Sequence, residues 1–170
     1  MILGVSTSTF TFVHVLLSLV GIGSGLVVLV GLLTGKRLDG WTALFLATTI
    51  ATSATGFLFP FEHLLPSHIV GGISLLLLAL AIVARYPFHL TGGWCHVYVI
   101  SAVLALYLNV FVAVVQAFRK VPALKALAPT QKEAPFVIAQ LVVLALFVAL
   151  GIFAAKRLRS DSVRVAARAA

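Results

Sequence analysis

The sequence predicts an all-α membrane protein, a bundle of about five transmembrane helices forming one domain over residues 1–170. Three observations carry that reading. Of the residues, 62% are hydrophobic and only 9% charged, and the mean hydropathy is +1.18, whereas a soluble domain keeps roughly a quarter of its residues charged to face water. The apolar residues also fall into runs close to the roughly 20 needed to cross about 30 Å of hydrocarbon. Finally, the interruptions between these runs are made of proline, glycine and basic residues, which end helices and mark interfaces.

The first span is expected from about Thr9 to Leu33, where Lys36, Arg37, Asp39 and Gly40 stop it. Met1 to Phe12 holds no Lys or Arg, and the apolar run is too long for a signal-peptide core, so the segment should be retained. The second span runs from Trp41 to Phe59, bounded by Pro60 and Pro66, and the third from His68 to Tyr86, with Ser67 placed as its cap. Pro87, Gly92 and Gly93 separate it from the fourth, Trp94 to Phe118. Pro122, Pro129 and Pro135 punctuate the chain before the fifth, Pro135 to Leu158, and a short basic tail covers 159–170. Trp41 and Trp94 open spans on one membrane face, where amphipathic rings prefer the headgroup level.

Basic residues orient the bundle. With the N-terminus outside and the C-terminus inside, the inner side holds Lys36, Arg37, Arg85, Lys156, Arg157, Arg159, Arg164 and Arg168, eight of the 12 Lys and Arg. Arg119, Lys120, Lys125 and Lys132 remain outside, in a connection expected to be an ordered interfacial segment. The net charge of +8 does not indicate nucleic acid, because the cations sit at span ends and form no stripe interleaved with aromatics.

Lipid supplies little hydrophobic drive to helix association, so small residues that admit close backbone approach should mark the contacts. Gly21 and Gly25, then Gly31 and Gly35, repeat at four residues on the first span, with Ser18 on the same side. Thr48, Thr52 and Gly56, beside Thr49 and Ser53, answer on the second, so these two helices should pack tightly. Most such hydroxyls are expected to bond the preceding helical turn. Ala102, Ala105, Asn109, Ala113 and Gln116 share a face of the fourth span. Asn109, deep in the membrane, needs a partner on another helix, or would donate to a quinone or another cofactor. Gln140 is the corresponding packing amide of the last span.

The polar residues left over fall at one membrane level. His14, Glu62, His63, His68, Gln116, Glu133 and Gln140 all map to the outer side, including three of the five histidines. His14 and His68, from facing helices with Ser18, Gly21, Gly71 and Gly72 nearby, form a candidate pair of axial ligands for haem b. The set His14, Glu62, His63 and His68 is the alternative, a site for a transition metal ion. The plainer account gives these histidines only water, headgroup or backbone partners. His89 and His96 lie seven apart on the inner side, where a second site would require a loop ligand.

Several chemistries are disfavoured. There is no P-loop, no GxSxG elbow, no HExxH and no CxxC, so no catalytic residues are assigned and an enzyme is not the expectation. The single cysteine, Cys95, cannot form an intrachain disulfide. Only four acids occur, none of them well inside a span, which weakens a proton-driven transporter; Asp39 and Asp161 are expected to balance neighbouring cations. A channel for a small neutral molecule would have to run past Thr48, Thr52 and Asn109.

Thr55-Gly56-Phe57, followed by Pro66-Ser67-His68 with Gly71 and Gly72, resembles small multi-pass inner-membrane proteins of bacteria. Some of these look like haem-binding membrane domains, and the resemblance, about 30 residues long, implies an axial-ligand role for His68. The resulting expectation is a multi-pass protein of the bacterial inner membrane that binds haem b or a metal, as a redox component or accessory subunit of a membrane electron-transfer complex. The competing expectation is a structural or assembly subunit without cofactor, docked to a larger membrane complex or to copies of itself.

Overall fold

In the structure, a computed structural model, Ile2, residues 4–59 and residues 66–169 are described, without the side chains of residue 66 and of residues beyond 157. Six helices account for nearly all of it: α1 (Thr7–Thr34), α2 (Asp39–Gly56), α3 (Pro66–Arg85), α4 (Trp94–Lys120), α5 (Pro122–Leu127) and α6 (Ala134–Ala169). The architecture is an all-α membrane bundle. Four helices, α1, α3, α4 and α6, are long and apolar enough to cross a bilayer. The expected fifth crossing, α2, is shorter and less apolar: it has 18 residues, and its threonines with Asp39 dilute the apolar run. At 1.5 Å per residue it is about 27 Å long, close to the hydrocarbon thickness.

Each helix end has a local cause. Ser6 caps α1, its Oγ accepting from the Thr9 N–H at 3.1 Å. Gly35 ends it with φ +72, a left-handed position suited to glycine, and the Lys36 N–H returns to the Gly31 carbonyl at 2.8 Å. Gly35 is therefore a helix stop and not the interhelical contact that its spacing from Gly31 predicts; Gly31 itself packs on Leu38, the residue that precedes α2. Pro66 opens α3, so Ser67 falls inside the first turn and is not its cap. At the far end α6 continues to Ala169, and the expected tail is a helical extension, since Lys156 to Ala169 contains no proline or glycine.

The central helix is α4, which touches all five others. Of its span 44% is buried, against 11% for α6. The core joins Phe45, Leu78, Tyr98, Val99 and Leu106 with buried alanines 81, 84, 102, 105 and 154, whose small side chains let the helices approach. The most extensive interface is α1 on α2, as the facing small residues predict. A Cβ on Gly25 would lie 2.5 Å from Leu106 Cδ1 and 2.9 Å from the Phe45 ring, so glycine is required there.

Between α4 and α6 the chain is ordered by α5 and a turn. The Gln131 amide donates to the Val115 carbonyl at 2.9 Å. Glu133 accepts from the Thr130 N–H at 3.1 Å, the Thr130 hydroxyl at 2.9 Å and the Lys132 N–H at 3.0 Å.

Candidate functional site

The end of the bundle that holds the α1 N-terminus is built around His14, two turns into the helix. Because α2 runs antiparallel to α1, its last turn lies beside this imidazole. The Thr55 hydroxyl donates to the Ala51 carbonyl at 2.7 Å, with the Thr52 carbonyl at 3.2 Å. Its proton is thus committed to the backbone, and towards His14 Nδ1, 2.8 Å away, it acts as acceptor. With the hydroxyl proton on the backbone, the assigned tautomer has Nδ1 donating to Thr55 and Nε2 as the basic nitrogen. Phe59 meets the ring edge-on, with centroids 5.2 Å apart, and Phe10 meets Phe59 at 5.1 Å. Gly56 lies next to the imidazole, where a Cβ would be 3.8 Å from Cε1.

His68 occupies the first turn of α3 and is buried, 6% exposed. Its ring packs at 5.5 Å on Phe57, which the absence of a side chain at Gly71 admits: a Cβ there would lie 3.1 Å from the Phe57 ring. Both imidazoles of the expected pair thus sit on the C-terminal end of α2, His14 against Thr55 and Phe59, His68 against Phe57. Glu62 and His63 lie outside the described residues, which therefore supply two of the four side chains of the expected metal set. Among the described residues no group of three His, Cys, Asp or Glu comes together.

No family model, curated protein or solved structure matches this chain. Its functional reading rests on its own geometry.

Deeper in the bundle, three helices meet at a polar node. The Ser18 hydroxyl on α1 donates to Asn109 Oδ1 on α4 at 2.9 Å, which supplies the interhelical partner that a buried amide requires. A Cβ on Gly21 would lie 3.0 Å from Thr49 Oγ1, 3.1 Å from Asn109 Nδ2 and 3.3 Å from Thr48 Oγ1, so α1 closes against both polar helices here. Thr48 returns its proton to the Leu44 carbonyl at 2.7 Å, as threonines in membrane helices commonly do. Thr49 Oγ1, Thr52 Oγ1 and Asn109 Nδ2 are buried with no partner among the described residues. One turn further on, Phe45 and Leu106 fill the space at Gly25.

The two glutamines on the sequence-based list separate. Gln140 joins α6 to α4, its Nε2 donating to the Phe111 carbonyl at 3.2 Å while its Oε1 is buried without a partner among the described residues. Gln116 is exposed, on a turn whose buried residue is Phe118, packed edge-on against Phe136. Asp39 pairs with Arg85 of α3 and not with adjacent Lys36 or Arg37. Asp161 lies beyond the described side chains.

Among the described residues, contacts between side chains more than 20 residues apart escape sequence reasoning, as for His14 to Thr55, Ser53 to Ser74 at 3.2 Å, the Tyr98 hydroxyl to Thr42 at 3.5 Å and Asp39 to Arg85. The small-residue lines on α1 and α2 are the one signal that could have paired the first of these.

Proposed function

We propose that this chain is a small integral membrane protein that binds haem b at the α1 start and α2 end, with His14 and His68 as the axial ligands. The observation that carries the reading is the Thr55 hydroxyl 2.8 Å from His14 Nδ1, within reach of the Ala51 carbonyl for its own proton. A metal-ligating histidine ordinarily donates its other ring nitrogen to a fixed acceptor, which sets ring orientation and leaves the ligating nitrogen basic. Thr55 serves His14 in that way. The phenyl rings of Phe10, Phe57 and Phe59 supply apolar surface of the kind a porphyrin contacts. Bound iron would give the protein one-electron chemistry, in keeping with a component or accessory subunit of a membrane electron-transfer complex. A transition metal ion held by His14, His68, His63 and Glu62 is the variant of the same reading without porphyrin.

The test is the absorption spectrum of the purified protein, oxidised and dithionite-reduced, with metal analysis of the same sample. A Soret band is expected, lost in His14→Ala and in His68→Ala. Thr55→Val should keep the fold and weaken haem retention about 10- to 100-fold, because the ligand loses its orienting partner. Absence of both a Soret band and a stoichiometric metal, after growth with added haem precursor, would overturn the proposal.

The exposed span of α6 favours a second reading, a structural or assembly subunit without cofactor. Only 11% of that span is buried within the chain, so its apolar surface is left for lipid or for a larger complex. A partner that copurifies at fixed stoichiometry with the His14→Ala, His68→Ala double variant would support this reading over the first.

A further inference from the structure

The end of the bundle opposite His14 holds a cavity of about 200 Å³ lined by Arg37, Asp39, Arg85, Tyr86, His89 and Leu90. Arg85 forms its most buried wall: its side chain is 10% exposed, it is ion-paired with Asp39, and its guanidinium lies 5.3 Å from the centre of the Tyr98 ring. A guanidinium carries five N–H donors, so a single carboxylate oxygen and a ring face leave donors over. Arg37 and His89 are exposed at the rim. Two guanidinium cations against one carboxylate give the lining a net charge of plus one before the imidazole is counted.

The α3–α4 loop is shaped to put His89 on this wall. His89 and Leu90 have φ of +49 and +58, left-handed conformations that bulky residues rarely adopt. Such a conformation persists only where surrounding contacts impose it. Here the Leu90 N–H bonds the Ala84 carbonyl at 3.0 Å, its side chain packs against the core, and Phe88 stacks on Trp94 with centroids 3.9 Å apart. The loop is thereby folded back over the end of α3, beside the Arg85 guanidinium.

We infer that this cavity binds a phosphate group bearing one negative charge, as in the headgroup of an anionic phospholipid. Arg37 and Arg85 would hold the phosphate oxygens with charge-assisted hydrogen bonds, for which the guanidinium fork is well suited. The position favours a lipid source. The cavity lies where α1 and α3 end and α2 and α4 begin, and Trp41, 48% exposed at the start of α2, marks the level at which indole rings meet headgroups. The inference is independent of any ligand at His14.

The experiment uses the full chain in detergent, titrated separately with short-chain phosphatidylglycerol, short-chain phosphatidylcholine and inorganic phosphate, and reads ligand-bound fractions by native mass spectrometry and the thermal midpoint. Phosphatidylglycerol should bind about tenfold more tightly than phosphatidylcholine, the worth of one charge-assisted contact, because choline would bring a cation to the guanidinium groups. Arg37→Gln should erase that preference, and His89→Gln should weaken it. Arg37 is exposed and outside the helices, so its replacement leaves the fold intact, and Lys120→Gln at the other end of the bundle serves as the charge control. Inorganic phosphate that competes as well as the lipid would support the phosphate site and assign it a soluble ligand. Equal binding of the two lipids without competition by phosphate would overturn the inference, as would an equal loss in Lys120→Gln.

Discussion

Asn109 shows how a single side chain can be read in a membrane interior. Its Oδ1 accepts from Ser18, while its Nδ2 is buried without a partner among the described residues. Interhelical hydrogen bonds of this kind contribute about 0.6 kcal/mol on average and up to about 1.7 kcal/mol. Asn109→Ala should therefore cost about 1 kcal/mol in a detergent-unfolding titration, and Ser18→Ala a similar amount. The double variant should lose less than the two single losses combined, because they remove the same bond; strict additivity would count against a direct Ser18 to Asn109 interaction. That Asn109 needs a partner on another helix is legible from its depth in the span, but which helix supplies it depends on relative rotation, which no single segment encodes. Glu133 supports a second test. Partial withdrawal from water pushes its carboxyl up, but hydrogen bonds from the Thr130 N–H and hydroxyl and from the Lys132 N–H outweigh that and hold it below the ordinary 4.5. A carboxyl lowered on folding stabilises the folded state fully above its unfolded value, and the contribution is lost as pH falls through the folded value. The thermal midpoint of wild type should exceed that of Glu133→Gln at pH 7, and the gap should narrow as pH is taken below 4.5.

At the scale of the helix, glycines that look alike in sequence behave differently. A methyl group on Gly25 would run into Leu106 at 2.5 Å and Phe45 at 2.9 Å, whereas at Gly23 it would meet nothing within 4 Å. Gly25→Ala should cost about 1–3 kcal/mol by overpacking. Gly23→Ala should be neutral or stabilising by up to about 1 kcal/mol, since alanine is the better helix former. Measured unfolding free energies in that order would confirm the α1–α2 contact, and equal effects would refute it. The spacing of Gly21 and Gly25 made this interface legible, because helix packing in lipid selects small residues on one face. The same spacing misled at Gly35, where glycine answers a backbone requirement, φ +72 at the helix stop, while Gly31 leaves room for Leu38 of the following connection. Ser67 misled for a related reason. Serine and proline both favour helix starts, and at α3 the proline takes the first helical position. His14 and His68 were legible as polar residues at one membrane level. The Thr55 contact that fixes the His14 tautomer depends on the α1–α2 register, and the phenyl rings at both imidazoles on how the end of α2 turns out.

For the whole molecule, the alternation of helices places the starts of α1 and α3 and the end of α2 at one end of the bundle, with Arg37, Asp39, Arg85 and His89 at the other. We propose that the His14 end faces outward. The eight cations expected inside against four outside give the direction, and the structure removes part of the objection that the four raise. Arg119 and Lys120 close α4, where cations favour a helix C-terminus, and Lys125 lies on α5, so this segment is a folded connection and not an open loop. Single cysteines introduced on a Cys95→Ala background report the orientation directly. A membrane-impermeant maleimide applied to intact bacterial cells should label Ser6→Cys, at the α1 N-terminus, and leave Gly40→Cys unlabelled until the membrane is opened. Both positions are exposed and Gly40 has open space beside it, so neither change disturbs packing, and Ser6→Cys gives up only the α1 cap, a loss of about 1 kcal/mol. Labelling of Gly40→Cys with protection of Ser6→Cys would invert the topology, placing the histidine end in the cytoplasm and the basic cavity on the outer leaflet. Labelling of both in intact cells would mean that α1 does not cross, against its 28 residues and its apolar composition.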